Sequence, residues 1–246
     1  AVCGTQTYCG GGDAGTPGSN AGGNVIRQNS VGLDVGLRLA LGNRGYGVSV
    51  DGAPNTAIGG VGQGNSIRAN GNAGVVLFAG ATGTVVSSNT ISRNLIGVFV
   101  DGETTVGNTI TRNNTVDNVQ LNIDLAPAGP TPNDPLDRDQ GANTLQNSPV
   151  IDRAAFLPGG ALRVAGRINT TPGTKVRVEI FLGAAGCQGG GGGPAATTLI
   201  GEAALVTDDG DAAFEVLRIG EHGDVERADG SAAPAQNGDA GVLDLD

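Results

Sequence analysis

Residues 89–100 read NTISRNLIGVFV and contain two short phrases that recur along the first half of the chain. The first phrase, Asn-x-Ile-x-x-Asn, begins at Asn24, Asn65, Asn89 and Asn108. The second phrase, Gly-Val-x-Val/Leu, begins at Gly47, Gly74 and Gly97. Starts of the first phrase are 41, 24 and 19 residues apart. The longest gap fits two turns in which Asn55-Thr-Ala-Ile58 marks a degenerate copy.

A unit of about 19–25 residues with short β-type segments, Gly/Asn corners and no helix is typical of a parallel β-helix. Successive coils lie about 4.8 Å apart, and we expect Ile67, Ile91 and Ile110 to stack in one column. Asn suits the corners because it tolerates left-handed backbone geometry and its amide can bond to an equivalent Asn one coil away. Connected parallel strands predict a right-handed coil. The alternative is a disordered Gly/Asn-rich tract, but disorder would not keep Ile at the same place in four phrases.

Composition excludes several other classes of protein. The 246 residues include 45 Gly, 11 Pro and only 3% aromatics, which argues against a helical bundle. No apolar run approaches the roughly 20 residues of a membrane-spanning helix. The net charge of −10 is opposite to the basic surface that nucleic acid binding needs. The chain has no Met, and we expect any export signal to lie outside this sequence.

The pattern changes after Pro149, and 18 of the 20 Asn residues lie in 1–150. Alternating apolar residues predict one hairpin from 161–168 and 174–182, and a second from 199–206 and 211–219. Four strands suggest a small sandwich module that is incomplete beside the roughly seven strands of an immunoglobulin-like sandwich. The predicted organisation is a parallel β-helix over 1–128, an acidic linker loop over 129–149, an antiparallel β module over 150–219 and a disordered acidic tail over 220–246.

These phrases, the stretch from Asn122 to Leu125, the Asp/Asn-rich stretch from Pro132 to Val150 and the run Val178-Glu-Ile-Phe181 carry a resemblance. Over roughly residues 20–215 the chain resembles bacterial right-handed parallel β-helix repeat proteins of the pectin-lyase-like superfamily. The resemblance implies a secreted or cell-surface protein, in a family where many members have no assigned activity. One departure is that such modules usually continue into another strand pair, whereas this chain runs into Glu221–Asp246.

The predicted linker concentrates oxygen ligands of the kind that calcium prefers. These candidate metal ligands are Asp134, Asp137, Asp139 and Asn143. Their spacing is not that of an EF-hand loop. The alternative is a solvated linker in which the Asp and Asn side chains cap their own turns.

Asp51 and Asp101 are the candidate catalytic residues because they end equivalent strands. If Val50 and Val100 point inward, both carboxylates point outward on one face, about two coils or ~9.6 Å apart. Inverting glycosidases place their carboxylates roughly 6.5–9.5 Å apart. The alternative is that an exposed Asp before Gly is a turn residue. Asp34 either shares this face or lies at a strand edge.

Other chemistries have less support in the sequence. Three arginines near predicted corners could line a ridge, although the acidic charge and the single Lys disfavour a polyuronate substrate; they are Arg68, Arg93 and Arg112. The only histidine, His222, lies in the predicted tail, so a Ser-His-Asp triad and a zinc site are unfavoured. Cys3 and Cys9 either form a disulfide or remain two thiols.

The sequence therefore predicts an all-β protein, a parallel β-helix followed by a small antiparallel module. We expect a secreted or cell-surface structural or adhesive module whose flat polar face binds polysaccharide or cell-surface glycan, without nucleic acid or a membrane span. The alternative is an enzyme that cleaves polysaccharide, a lyase or a glycoside hydrolase, which would use Asp51 and Asp101. Calcium is the cofactor to test.

Overall fold

The computed structural model describes residues 22–34, 36, 39–182 and 198–218 in full, and the backbone alone at 2–3, 183, 196–197 and 243–244. The chain forms two compact units. The first comprises residues 1–131, 140–145 and 183–197, and the second comprises 132–139, 146–182 and 198–246. The segment predicted as a linker, 129–149, is thus divided between them.

The first unit is built from short parallel strands. In chain order they are β1 (Val2–Cys3), β2 (Val25–Ile26), β3 (Ser30–Val31), β4 (Val48–Asp51), β5 (Ala57–Gly59), β6 (Ser66–Arg68), β7 (Ala73–Phe78), β8 (Val85–Ser87), β9 (Thr90–Ser92), β10 (Ile96–Val100), β11 (Thr109–Thr111), β12 (Asn114–Val116) and β13 (Ile123–Leu125).

These strands form three parallel sheets, which the chain visits in turn. Sheet A has the order β1-β4-β7-β10-β13, sheet B the order β2-β5-β8-β11, and sheet C the order β3-β6-β9-β12. Each strand pairs with the strand three places along the chain, so the backbone winds through about three turns of a solenoid. The predicted parallel β-helix and the all-β class are confirmed.

The core is made of aliphatic columns that run through successive rungs. Sheet A supplies two columns, Val48–Val75–Val98–Ile123 and Val50–Leu77–Val100–Leu125. Sheet B supplies Ile26–Ile58–Val86–Ile110, and sheet C supplies Val31–Ile67–Ile91–Thr115. Because strands alternate their side chains between two faces, the first and third residues after the Gly of each Gly-Val-x-Val/Leu phrase point inward, as predicted.

The predicted single column of Ile67, Ile91 and Ile110 is wrong for its last member. Ile67 pairs with Ile91 in sheet C, whereas Ile110 pairs with Val86 in sheet B. Asn24 and Asn108 precede strands of sheet B, whereas Asn65 and Asn89 precede strands of sheet C, so the same phrase marks two positions of the coil. The two corners are five residues apart along the chain. The gap of 41 residues is therefore a turn of 36 residues plus this step of five, and the gap of 19 is a turn of 24 residues minus the same step. The longest gap holds one turn plus this step, and not two turns.

Two ladders of stacked Asn side chains line the corners before sheets C and A. The first is Asn29–Asn65–Asn89–Asn113 and the second is Asn43–Asn70–Asn94–Asn118. Each Nδ2 donates to the Oδ1 of the next rung, as from Asn65 to Asn89 at 2.9 Å. The same Oδ1 also accepts the backbone N–H of Asn65 at 2.9 Å. The predicted stacking of corner Asn residues is confirmed.

The predicted left-handed geometry is wrong for the eight Asn residues of these two ladders, and at six of the eight corners the residue before the Asn adopts it instead. Ser88 and Arg112 have φ of 56° and 53°, directly before Asn89 and Asn113. The Asn after this turn places its side chain in the ladder, as Asn89 does between Asn65 and Asn113. The corner Asn is thus selected for its amide.

Close packing explains the glycine of the sheet A phrase. A Cβ at Gly74 would lie 2.6 Å from Ile91 Cγ2 and 2.8 Å from Asn94 Nδ2. A Cβ at Gly47 would meet Ile67 Cγ2 at 2.6 Å. The space that a side chain would need at these glycines is therefore occupied by the Ile column and the Asn ladder.

A short 3₁₀ segment, Ala142–Leu145, caps the C-terminal end of the solenoid core. Ala142 is buried in the core cluster. Asn143 Oδ1 accepts the backbone N–H of Asn108 at 2.8 Å, and Asn143 Nδ2 donates to the Asn108 carbonyl at 3.1 Å. Since Asn108 Oδ1 accepts from Thr84 N in the same way, Asn143 extends a third corner ladder by one rung.

The second unit contains two small sheets. Its strands are β14 (Val150–Phe156), β15 (Leu162–Asn169), β16 (Lys175–Gly183), β17 (Ala196–Val206), β18 (Asp211–Arg218) and β19 (Leu243–Asp244). One sheet has the order β14-β15-β18 and the other β16-β17-β19. Their buried residues form one core cluster: Val164, Ile168, Val178, Ile180, Ile200, Ala203, Leu205, Phe214 and Val216.

Four strands of this module, β15 to β18, were predicted, whereas β14 and β19 were not, and both predicted hairpins are wrong. β15 pairs with β14 and β18, while β16 and β17 belong to the other sheet. Alternation shows that a strand has one buried face, but it does not select the neighbouring strand. The turns at 170–174 and 207–210 instead bond to each other, as from Thr170 N to Gly210 O at 2.7 Å and from Gly173 N to Thr207 O at 2.6 Å.

Several sequence predictions lie outside the described residues. They concern the Cys3–Cys9 disulfide, His222 and the acidic tail, of which only the backbone of 243–244 is described, paired with β17. Within the part that the structure describes, no helix has the length and hydropathy needed to cross a bilayer.

Candidate functional site

The outward face of sheet A places the two predicted aspartates in one row. Asp51 pairs with Phe78 of the next rung. Asp101 follows β10 directly, and its N–H donates to Leu77 O at 2.9 Å, one residue before Phe78. The row therefore reads Asp51–Phe78–Asp101, with the carboxylates two strand spacings, or about 9.6 Å, apart. Register thus puts an aromatic side chain between the two carboxylates.

The two carboxylates differ in their surroundings. Asp101 is exposed, whereas Asp51 is partly buried. Asp51 Oδ1 is inaccessible to solvent and has no hydrogen-bond partner among the described residues. A buried acceptor without a donor costs free energy, and natural structures usually satisfy such groups. Because this oxygen is inaccessible, Asp101 is the carboxylate of the two that is open to a bound molecule.

A parallel row lies beside the first one on the same face. It reads Ser49–Val76–Phe99–Asp124. The apolar members of the two rows pack with Ala73, Ile96 and Leu95 into a small cluster that is separate from the solenoid core. The outward face of sheet A therefore combines half-buried aromatic rings with carboxylates. We call the two rows together the sheet A platform.

Asp124 is the functional candidate that sequence reasoning missed. It is only 1% exposed, and both carboxylate oxygens accept the Gly129 N–H, at 3.2 and 3.1 Å. Burial raises the pKa of the Asp124 carboxyl, and the hydrogen bond from Gly129 lowers it in part. The signal was present, because an Asp between Ile123 and Leu125 of a strand must point to the outward face.

In the second unit the structure brings three predicted metal ligands together. Carboxylate oxygens of Asp134, Asp137 and Asp139 lie within 4.8 Å of one another. Asp134 accepts the backbone N–H of Arg138, at 3.2 and 3.1 Å to its two oxygens. Asp139 Oδ1 is buried without a hydrogen-bond partner among the described residues. Burial, with the nearby charges of Asp134 and Asp137, raises the pKa of Asp139.

Asp137 ties the acidic loop to the rest of its unit. Its Oδ1 accepts the N–H of Asn147 at 2.6 Å, and its Oδ2 accepts the hydroxyl of Thr170 at 2.9 Å. Buried Asn147 also donates to the carbonyls of Asp134 and Asn169, at 2.7 and 2.9 Å. These bonds are the turn-capping role that was the alternative to calcium. The calcium site stays a prediction, since the carboxylates keep lone pairs free for a cation.

Asn143, the fourth predicted ligand, belongs to the solenoid unit and not to the unit of the three aspartates. Its side chain bonds Asn108 in the corner ladder described above. The structure therefore gives Asn143 a capping role, and its part in a metal site stays a prediction.

The predicted arginine ridge is wrong. Arg68 lies within strand β6, while Arg93 and Arg112 occupy different corners of the coil, before Asn94 and Asn113. Arg93 lies 3.8 Å from the Asp117 carboxylate, and both side chains are more than half exposed. Such a surface pair contributes little to stability. These arginines do not form one cationic track.

A comparison of the chain with models of known protein families finds no match, and a comparison with curated proteins also finds none.

Proposed function

We propose that the protein is a structural or adhesive β-solenoid module, secreted or held at a cell surface, that binds glycan on the sheet A platform. The observation that carries the proposal is the row Asp51–Phe78–Asp101. Glycan recognition uses an aromatic face on which a sugar ring stacks and polar groups that accept its hydroxyl protons. The pectin-lyase-like resemblance supports the secreted or surface location and the bacterial origin.

The solenoid supplies the rigid support that such a site needs. The rows stand on strands whose inward side chains are fully buried, such as Val50, Leu77 and Val100. Polar groups held on rigid strands lose little conformational freedom when a ligand binds. The acidic residues of the platform and the net charge of −10 disfavour polyanionic glycans. Neutral polysaccharides are therefore the class to test first.

The proposal is tested by calorimetric binding to a panel of soluble neutral and acidic polysaccharides. We expect binding to a neutral member, weakened at least about tenfold by Phe78→Ala and by Asp101→Asn. Phe181→Ala, at a half-buried aromatic of strand β16 in the other unit, is the matched control and leaves binding unchanged. Circular dichroism melting checks that each variant is folded. Binding that survives Phe78→Ala and Asp101→Asn contradicts the platform as the site.

The second candidate function is polysaccharide cleavage, and the spacing of Asp51 and Asp101 favours it. A separation of about 9.6 Å is close to the upper end of the roughly 6.5–9.5 Å range of inverting glycosidases. Reducing-end and unsaturated-product assays on the same panel test it. Turnover that Asp51→Asn or Asp101→Asn abolishes would replace the binding-only function.

A further inference from the structure

Strand β14 of the second unit is an edge strand whose apolar side chains are uncovered. Among the strands that the structure describes, it has only β15 as a neighbour. Phe156 is 77% exposed, Ile151 56% and Val150 41%. Ile151 pairs with Gly166, and Phe156 with Leu162, so both lie on the face of the sheet that carries the module core. An exposed edge with apolar side chains is a template for another strand.

The sequence of β14 specifies which strand fits this edge. Reading VIDRAAF antiparallel to itself, with the two-fold axis between Asp152 and Arg153, puts Asp152 of each copy opposite Arg153 of the other. Both side chains are exposed, and no ion pair engages Arg153 within the described part of the chain. Opposite charges directly across an antiparallel pair stabilise it, and like charges destabilise it. A parallel copy would lose this match.

Apolar residues match in the same register. Ile151 lies opposite Ala154 of the second copy, and Phe156 lies diagonal to Ile151 of the second copy, within reach of an aromatic side chain. Ile151, Ala154 and Phe156 share one face, because their partners in β15 are Gly166, Val164 and Leu162. The apolar strips of two copies would therefore join into one.

We propose that two copies of this chain associate by pairing their β14 strands. The two three-stranded sheets then form one continuous six-stranded antiparallel sheet across a two-fold axis. Isologous pairing of this kind is closed, so it yields a dimer and not a fibre. Pro149 and Pro158 bracket the strand, and in this register residues 150–155 pair while Phe156 lies opposite Pro149, which has no N–H to donate. The register shift at Asp152, and its ion pair with Arg167, discourage pairing with unrelated strands. A short interface of this type gives a weak, concentration-dependent dimer.

The test is sedimentation velocity on the full chain from micromolar to sub-millimolar concentration. Asp152→Arg places like charges opposite each other twice in a homodimer, and so does Arg153→Asp. Each single variant is expected to weaken self-association at least about tenfold. An equimolar mixture of the two variants restores opposite charges at both contacts and is expected to form a heterodimer. Arg177→Asp, at an exposed residue of strand β16 in the other sheet, is the matched control and leaves association unchanged.

The mixture separates loss of charge matching from loss of folding, because misfolded single variants would not associate when mixed. Dimers of the wild type, with monomeric single variants and a heterodimer in the mixture, support the proposal. A wild type that stays monomeric over the whole range overturns it. Dimers that persist in both single variants also overturn it, since another surface must then be responsible.

Discussion

Replacing Asn89 by Ala tests the corner ladders most directly. Its side chain is 1% exposed and makes contacts in both directions along the solenoid. Oδ1 accepts the backbone N–H and the Nδ2 of Asn65, each at 2.9 Å. Nδ2 donates to Asn113 Oδ1 at 3.0 Å and to Ile58 O at 2.9 Å. One substitution therefore removes four hydrogen bonds between rungs.

The magnitude follows from which groups keep another partner. Asn65 Nδ2 still bonds Ile26 O, and Asn113 Oδ1 still accepts the backbone N–H of residue 89. The Asn65 backbone N–H loses Asn89 Oδ1 as its acceptor and stays buried, which costs roughly 1–3 kcal/mol. The other three bonds contribute roughly 1 kcal/mol each. Asn89→Ala should therefore lower the free energy of unfolding by about 4–6 kcal/mol, a large fraction of a total of roughly 5–15 kcal/mol.

Differential scanning calorimetry measures this loss. At about 2–4 °C per kcal/mol, the transition of the solenoid unit should fall by about 10 °C, and that of the second unit should stay unchanged. Asn114→Ala is the matched control, because Asn114 lies on strand β12 and its Oδ1 has no hydrogen-bond partner among the described residues. We expect the control to change stability by less than about 1 kcal/mol. Equal losses in the two variants would refute the ladder as a source of stability.

Two further predictions concern the carboxylates. Because the folded-state pKa of Asp124 is raised above 3.8, its contribution to stability falls as pH rises from 3.8 through the raised pKa. Asp124→Asn can still accept the N–H of Gly129 and should be at least as stable as the wild type near pH 7, and the difference should vanish below pH 3.8. Urea denaturation at several pH values measures this difference. An Asn variant that is less stable than the wild type at neutral pH would contradict the prediction. If the three-aspartate loop binds calcium, saturating Ca²⁺ at about 100 times Kd raises the free energy of unfolding by about 2.7 kcal/mol. A melting temperature that neither millimolar Ca²⁺ nor a chelator changes would remove the site, and Asp139→Asn is the variant in which the effect should be lost.

Much of the solenoid could be predicted from local sequence because its contacts repeat. A strand of period two, a Gly in the sheet A phrase and an Asn at the corners before sheets C and A recur along the solenoid, so a fold of stacked coils follows from their repetition. The position of each phrase in the coil could not be predicted. Asn65-Ser-Ile67 and Asn108-Thr-Ile110 look alike, yet they lie in sheets C and B, because only stacking on the neighbouring rung distinguishes the two corners.

The candidate sites divide in the same way. Asp51 and Asp101 could be placed on one outward face, since alternation along a strand fixes that direction. The same alternation places Asp124 outward, but its pairing with Phe99 and the position of Phe78 between Asp51 and Asp101 depend on register between strands that are distant in sequence. The cluster of Asp134, Asp137 and Asp139 was visible in the sequence, but the ladder role of Asn143 required the fold.

The amino-acid sequence by itself determined that this chain is all-β, that its first half stacks in repeating coils and that Asn residues line the corners. Only the tertiary structure decided which corner each Asn occupies, which strands of the second unit share a sheet and which side chains meet on the sheet A platform. The physical reason is that side-chain alternation and corner chemistry act over a few residues. Strand pairing, in contrast, is settled by the burial of whole columns and faces contributed by distant parts of the chain.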